Sequence, residues 1–179
     1  MNIMKKFITP GLLLVAALLI LGAAARFFAP LPNFTPIAAI ALFGGTYLNR
    51  KKLALLIPLL ILAITDAIIG IYDPITMTAV YLSFVFTGII GIVLSKKITK
   101  INVVGAALLS SVTFFLVTNF ATWISGFCGY PMTFGGLIYC YEMGLPFFRN
   151  DIFATLLYSG ILFGTFEWVK SKYKIFANI

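Results

Sequence analysis

The chain is divided into long apolar runs by short clusters of basic residues, and this alternation constrains its fold more than any other feature. The runs occupy about residues 7–28, 36–48, 53–72, 76–95, 101–125 and 151–169. Only 10% of the residues are charged and 61% are hydrophobic, which leaves too little polar surface for a water-soluble domain. Because a membrane span takes roughly 20 apolar residues, we predict an all-α polytopic membrane protein in which residues 1–179 form one bundle of six transmembrane helices.

The basic clusters occur at every second break between the apolar runs. Eleven of the 13 Lys and Arg residues lie at residues 5–6, 50–52, 96–100 and 170–174. Positively charged loops stay on the cytoplasmic side of a membrane, so this distribution predicts that both termini are cytoplasmic. The basic residues form no stripe between aromatic residues, which argues against a nucleic-acid partner. We expect a multi-pass protein of the cell inner membrane, with lipid as a partner.

The first run allows two interpretations. Residues 1–25 contain the three regions of a secretory signal peptide, namely a basic start, an apolar stretch and a run of small residues at 23–25. The apolar run nevertheless continues past these alanines into Phe27 and Phe28. That continuation favours an uncleaved membrane anchor.

The second run is too short to cross a membrane alone. Thr35 is a candidate N-cap and Pro36 a candidate first helical residue. A helix of about 13 residues is roughly 20 Å long, whereas the hydrocarbon core is roughly 30 Å thick. Residues 29–34 would then enter the membrane as extended backbone, which persists only where it is packed in protein or lines a cavity. We therefore predict a cavity that opens to the exterior.

The connection between the fifth and sixth runs, residues 126–150, is long for so small a bundle. Apolar residues at helical spacing predict a short amphipathic outer helix at about 133–145, which is either a lid over the cavity or an interfacial anchor. Asn150 is predicted to be the N-cap of the sixth helix, and Asp151 is predicted to lie at the positive end of that helix.

Ionisable residues inside membrane spans are costly, so each one is a candidate for function. Asp66 lies inside the third run and Arg26 ends the first run at a similar depth, so we expect a pair that is either a structural brace or part of a ligand site. Asn119 has the same depth in the fifth run, where an amide either joins helices or contacts a ligand. The candidate substrate-binding residues are Arg26, Asn33, Asp66, Asn119, Trp123, Arg149 and Asp151, with Arg149 and Asp151 facing the outer mouth.

We expect no enzyme, no cofactor and no metal site. The chain has no histidine, which removes imidazole catalysis and most haem and zinc ligation. An intramembrane aspartyl protease needs two adjacent carboxylates, and only Asp66 lies clearly within a span. Cys128 and Cys140 both lie on the predicted exterior side. They could form a disulfide, remain free thiols, or supply a thiolate that binds the metal of a ligand.

Residues 33–45, Asn-Phe-Thr-Pro-Ile-Ala-Ala-Ile-Ala-Leu-Phe-Gly-Gly, precede a Lys-rich turn and residues 58–66. This pattern resembles the S components of energy-coupling-factor (ECF) vitamin transporters and an uncharacterised bacterial six-helix group similar to them. The resemblance implies capture of a small vitamin-like molecule from outside, in a cavity capped by the loop between the first two helices. It also implies a transmembrane coupling subunit and two cytoplasmic ATPases as partners. Family members often have an Ala-x-x-x-Ala pattern on the first helix, which occurs here only at Ala25 and Ala29.

The substrate class stays open among vitamins including cobalamin, queuosine precursors and nucleobase-like compounds. The alternative function is a non-transporting structural or assembly subunit of a membrane complex. In that case the small-residue pairs Ala41/Gly45 and Gly160/Gly164 mark close packing, within the bundle or against a partner. The two hypotheses differ at Asp66, because Asp66→Asn should abolish ligand binding in a transporter and assembly in a scaffold.

Overall fold

The computed structural model describes residues 9–28, 31–48 and 51–173, and within these ranges the chain is all-α, as predicted. The elements are α1 (Pro10–Ala25), a 3-10 turn (Arg26–Phe28), α2 (Ile37–Tyr47), α3 (Lys51–Ile69), α4 (Pro74–Leu94), α5 (Lys100–Ile124) and α6 (Phe134–Lys172). Lys5, Lys6, Ala29, Asn49, Arg50 and Lys174 lie outside the described residues.

Four of the described helices are long and apolar enough to cross a membrane, namely α1 with its 3-10 turn, α4, α5 and α6. The apolar part of α3, Leu55–Ile68, is shorter. The shortness of the second helix is confirmed, because α2 has 11 residues and is therefore only about 16 Å long. These helices are those of a multi-pass membrane protein.

Four of the six helices begin at a side-chain cap. A hydroxyl or carboxylate oxygen accepts a hydrogen bond of 2.8 to 3.2 Å from a main-chain N–H in the first turn, at Thr9, Asp73, Thr99 and Thr133. The predicted Thr35 cap is wrong, because α2 begins one residue later, with Pro36 at the N-cap and no side-chain hydrogen bond there. The described residues before α2 also form a turn, closed by the N–H of Phe34 on the carbonyl of Leu31 at 3.1 Å, and not extended backbone.

Helix α2 is the centre of the bundle. Every residue from Ile37 to Tyr47 is buried, and α2 packs against all five other helices. A helix that is apolar on every side suits this position. The α2–α4 crossing is so close that a Cβ at Gly45 would lie 2.2 Å from the carbonyl oxygen of Gly88, and one at Gly91 would lie 2.3 Å from that of Leu42. Gly45 therefore packs within the bundle. For the pair Ala41/Gly45 this agrees with packing inside the protein, the first of the two alternatives, and not with packing against a partner.

The contacts between helix ends indicate that successive helices alternate in direction, so their connections lie at two ends. We define the upper end by residues 31–36, 70–73 and 125–133, and the lower end by residues 95–99 and the last turn of α6. The hydroxyl of Tyr47 donates to Glu167 at 2.5 Å near the lower end, and the hydroxyls of Thr76 and Thr122 lie 3.3 Å apart near the upper end. These contacts agree with an up-and-down bundle.

The predicted outer helix at 133–145 and the predicted sixth span at 151–169 are one continuous helix of 39 residues, α6. The prediction of two elements is wrong because the first half of α6 packs along α5 instead of across the mouth. The hydroxyl of Tyr141 donates to the carbonyl of Leu116 at 2.9 Å, and the thiol of Cys140 donates to the carbonyl of Asn119 at 3.3 Å. Pro146 lies inside the helix, where these contacts with α5 outweigh its missing N–H.

Candidate functional site

A partly open cavity of about 340 Å³ lies at the upper end, between α4, α5, α6 and the loops at that end. We call it the upper cavity. Its lining contains apolar side chains and uncharged polar groups. The polar residues among its lining are Asn33, Tyr72, Thr76, Thr118, Asn119, Thr122, Cys128, Tyr130 and Cys140. An uncharged lining of this kind offers hydrogen bonds and ring contacts without a fixed charge.

A smaller cavity of about 220 Å³ adjoins the upper cavity. Asn33, Tyr72, Val80 and Phe114 line both cavities, and Arg26 lines only the smaller one. The two spaces are therefore compartments of one candidate site, separated by side chains that both share.

The predicted contact between Arg26 and Asp66 is confirmed. The Arg26 guanidinium donates to Oδ1 of Asp66 at 2.7 Å and to the hydroxyl of Thr65, and Tyr81 donates to Oδ2 of Asp66 at 3.2 Å. The side chains of Arg26 and Asp66 are only 13% and 5% exposed. Both carboxylate oxygens are satisfied and the guanidinium charge is neutralised. This cluster ties the end of α1 to α3 and α4.

Asn119 lies between α5 and α6 and also lines the upper cavity. Its Nδ2 donates to the carbonyl of Phe115 at 2.8 Å. A Cβ at Gly144 would lie 2.3 Å from Oδ1 of Asn119, so the glycine makes room for the amide. This position is compatible with both roles expected for Asn119, interhelical packing and ligand contact.

Asn33 and Trp123 are the other two predicted residues near the upper end. Asn33 lines both cavities and has a positive φ of 59°, a conformation that asparagine tolerates better than most residues. Trp123 lines neither cavity. Its indole N–H donates to the carbonyl of Pro131 at 3.0 Å, which holds residues 125–133 against the end of α5.

Arg149 and Asp151 are not at the mouth of the cavity, contrary to the prediction. Because α6 is continuous, both lie in its middle and Asn150 caps no helix; its Nδ2 donates instead to the carbonyl of Pro32 at 3.0 Å. Arg149 is exposed and forms no ion pair with any described residue. Asp151 is 5% exposed and lies inside the bundle.

Cys128 and Cys140 both line the upper cavity, and both are free thiols. The disulfide alternative is therefore not what the structure contains. Cys128 is exposed, whereas Cys140 is buried between α5 and α6. Among the described residues no group of three His, Cys, Asp or Glu side chains is arranged to hold a metal ion.

Sequence reasoning missed Tyr72 and the threonines of the upper cavity. Burial, with the nearby Asp66 carboxylate as a second cause, raises the pKa of Tyr72 to about 12, so its phenol stays neutral and both donates and accepts hydrogen bonds. Thr118 and Thr122 are four residues apart on α5, and this spacing next to Asn119 was a signal in the sequence. Nothing in the sequence places Tyr81 beside Asp66.

No curated protein and no solved structure matches the chain. These comparisons therefore give no link to the ECF S components. One family model matches residues 6–176, a range that includes both cavities, the Arg26–Asp66 pair and Asp151. Since this match covers nearly the whole chain, the protein belongs to the family of unknown function DUF6580.

Proposed function

We propose that this membrane protein binds a small, uncharged, vitamin-like molecule in the upper cavity for uptake, as an S component does. The observation that carries the proposal is the lining of the upper cavity, which combines amides, hydroxyls and aromatic rings and includes no charged residue. Ligand sites in proteins are typically concave and combine apolar walls with directed polar groups, and this lining offers both.

The size of the cavity narrows the class of ligand. Ligand cavities commonly measure about 300 to 1,000 Å³, and the upper cavity, at about 340 Å³, lies at the lower end of that range. A compound with one or two rings, such as a nucleobase-like molecule or a small vitamin, suits this volume better than a corrinoid. Asp66 already neutralises Arg26 at 2.7 Å, which also favours an uncharged ligand over an anionic one.

The charge distribution supports an upper cavity that faces the outside of the cell. Among the described basic residues only Arg26 and Arg149 lie away from the lower end. From the positive-inside rule we infer that the lower end and both termini are cytoplasmic, in the inner membrane of a bacterium.

ATP hydrolysis for uptake would come from other proteins, because the sequence contains no Gly-x-x-x-x-Gly-Lys phosphate-binding loop. A coupling subunit with two cytoplasmic ATPases is the arrangement that the resemblance to S components suggests. We propose that this chain contributes ligand capture and not catalysis.

The proposal is tested by thermal unfolding of the detergent-purified protein with uncharged small vitamins such as riboflavin, with queuosine precursors and with nucleobases in turn, and with cobalamin as an oversized compound that should give no shift. A ligand at 100 times its Kd stabilises the folded state by about 2.7 kcal/mol, which raises Tm measurably. Asn119→Leu should remove the shift because Asn119 lines the cavity. Arg149→Gln, a matched surface change on α6, should keep it. A shift that survives Asn119→Leu, or none with any of these compounds, would contradict the proposal.

A second candidate function, a subunit of a membrane complex, is favoured by one observation. Gly160 and Gly164 have the small-xxx-small spacing on α6, yet no other part of the described chain lies within 4 Å of a Cβ at either glycine. Membrane helices use such faces for close contact with another helix. Loss of co-purifying subunits in Gly160→Leu, with ligand-induced shifts absent in the wild type, would support this function over capture.

A further inference from the structure

Four buried side-chain oxygens in the described part of the chain have no hydrogen-bond partner, and all four lie on α5 and α6. They belong to Ser111, Asp151, Thr155 and Ser159. The three on α6 are four residues apart, so they follow one face of the helix at successive turns. Ser111 of α5 lies beside Asp151 without forming a hydrogen bond of good geometry. We call these four residues the polar seam.

The free hydroxyls of the seam are unusual within this bundle. Other buried hydroxyls donate to a carbonyl one turn earlier on their own helix, as membrane serines and threonines commonly do. This holds for Thr46, Thr65, Ser83, Thr87, Ser110 and Thr118. The hydroxyls of Ser111, Thr155 and Ser159 do not, and each remains able to donate and to accept.

The polar seam lies between two open spaces. Phe147 of α6 lines the upper cavity and is one turn, about 6 Å, from Asp151. At the other end, Ser159 itself lines a groove of about 650 Å³ between α5 and α6, which we call the lower groove. The seam therefore spans the packed section of the bundle that separates the upper cavity from the lower groove.

No cation balances Asp151 within the described residues. Helix α6 packs against α1, α2 and α5. The ionisable groups of those elements are engaged or distant: Arg26 after α1 pairs with Asp66, Tyr47 of α2 donates to Glu167, and Lys100 of α5 is eleven residues from Ser111. On α6 itself Arg149 is exposed, two residues away and thus on another face.

An ionised carboxylate without a partner is strongly unfavourable in a membrane interior, and binding a proton removes its charge. One carboxylate and two neighbouring hydroxyls are too few oxygens to replace the hydration shell of a sodium ion. We propose that Asp151 is a proton-binding site that takes a proton from water in the upper cavity and releases it to water in the lower groove, past Thr155 and Ser159. One proton crosses in each cycle and the carboxyl group returns to its starting state.

The first test is infrared spectroscopy of the purified full-length protein in lipid at neutral pH. We expect a carbonyl stretch of a protonated carboxyl group in the wild type, and its loss in Asp151→Asn but not in Glu142→Gln, an exposed acid on the same helix. If the band is absent from the wild type, or persists in Asp151→Asn, the proposal is wrong. No ligand is needed, so this result is independent of the proposed ligand binding.

The second test is proton flux into vesicles of the full-length protein, driven by a potassium diffusion potential and followed with an internal pH dye. Flux should exceed that of protein-free vesicles, fall to that level in Asp151→Asn, and fall partly in Thr155→Val, which leaves the carboxyl group of Asp151 in place. Glu142→Gln should match the wild type. Equal flux in Asp151→Asn and the wild type would overturn the pathway. A rise of Tm with sodium chloride but not potassium chloride, lost in Asp151→Asn, would instead identify a sodium site.

Discussion

Asp66 and Asp151 are both buried acids in apolar helices, and their surroundings are opposite. Asp66 has a guanidinium at 2.7 Å and a phenol at 3.2 Å. Asp151 has an unpartnered carboxylate oxygen and lies between a cavity and a groove. A buried polar group that is fully satisfied serves stability, whereas one left unsatisfied next to open space is suited to exchange with solvent or ligand.

The largest effect that separates the two regions is expected from Asp66→Leu. Loss of Asp66 leaves the buried Arg26 charge unpaired, which costs about 3 to 5 kcal/mol of unfolding free energy. Asp151→Asn loses no ion pair, and it should change stability by less than about 1 kcal/mol. Denaturant unfolding in detergent micelles measures both.

The double variant Arg26→Met/Asp66→Leu is the control for that comparison. It removes the stranded charge, so it should recover most of the stability lost in Asp66→Leu. If Asp151→Asn proves as destabilising as Asp66→Leu, the presence or absence of an ion pair does not explain the difference between the two acids.

The next largest change in stability is expected when a methyl group is added at the glycine crossing of α2 and α4. Gly91→Ala places a Cβ 2.3 Å from the carbonyl oxygen of Leu42, so α2 and α4 must separate. We expect a loss of about 1 to 3 kcal/mol, as for other overpacked cores. Gly160→Ala meets nothing within 4 Å and should stabilise α6 by about 0.5 to 1 kcal/mol. Thermal unfolding of the two variants side by side checks this, and equal Tm values would show that the close crossing is not needed.

A smaller difference in stability is expected between removing the hydroxyl of Tyr81 and removing the hydroxyl of Thr155. Tyr81→Phe removes one hydrogen bond to Asp66, worth about 1.5 to 3 kcal/mol to a full charge but less here because the 3.2 Å bond is long and Arg26 already neutralises Asp66. We expect about 1 kcal/mol. Thr155→Val removes a hydroxyl that has no partner, so stability should stay unchanged or rise. A clear loss of stability in Thr155→Val would reveal a bond that the static structure lacks.

The smallest effect is expected at Asp73, which caps α4 on the surface at the upper end. Hydrogen bonds from Thr76 lower the pKa of Asp73 below its usual value. A depressed pKa in the folded state means that the stabilisation is present above the ordinary pKa and is lost as pH falls through the lowered one. Asp73→Ala should lower Tm slightly at neutral pH and leave it unchanged in strong acid. A difference in Tm that persists in strong acid would argue against a charged cap.

Some of the candidate site was predictable because it depends on depth along a helix. The positions of Arg26 and Asp66 relative to the ends of their runs put them at one level, and the contact follows. The same reasoning put Asn119 at the cavity. Depth along the helix did not predict the position of Trp123. Its indole N–H donates to the carbonyl of Pro131, and a hydrogen bond of this kind does not depend on depth.

The region around α6 was not predictable in the same way. Pro146 and Asn150 are individually typical of helix ends, so local signals favoured two helices. Contacts with α5 from residues 21 to 25 positions earlier decide instead for one helix. That continuity moves Asp151 from a predicted surface cap into the bundle interior.

The sequence by itself determined the all-α membrane character, the short second helix and the meeting of Arg26 with Asp66, because these follow from composition, run length and the high cost of an unpaired charge in lipid. Only the tertiary structure decided the unbroken α6, the close α2–α4 crossing at Gly45 and Gly91, the two cavities and the unpaired Asp151. Each of these features depends on which helix faces pack against one another. The apolar faces have similar sequences, so the sequence does not specify which of them pack together.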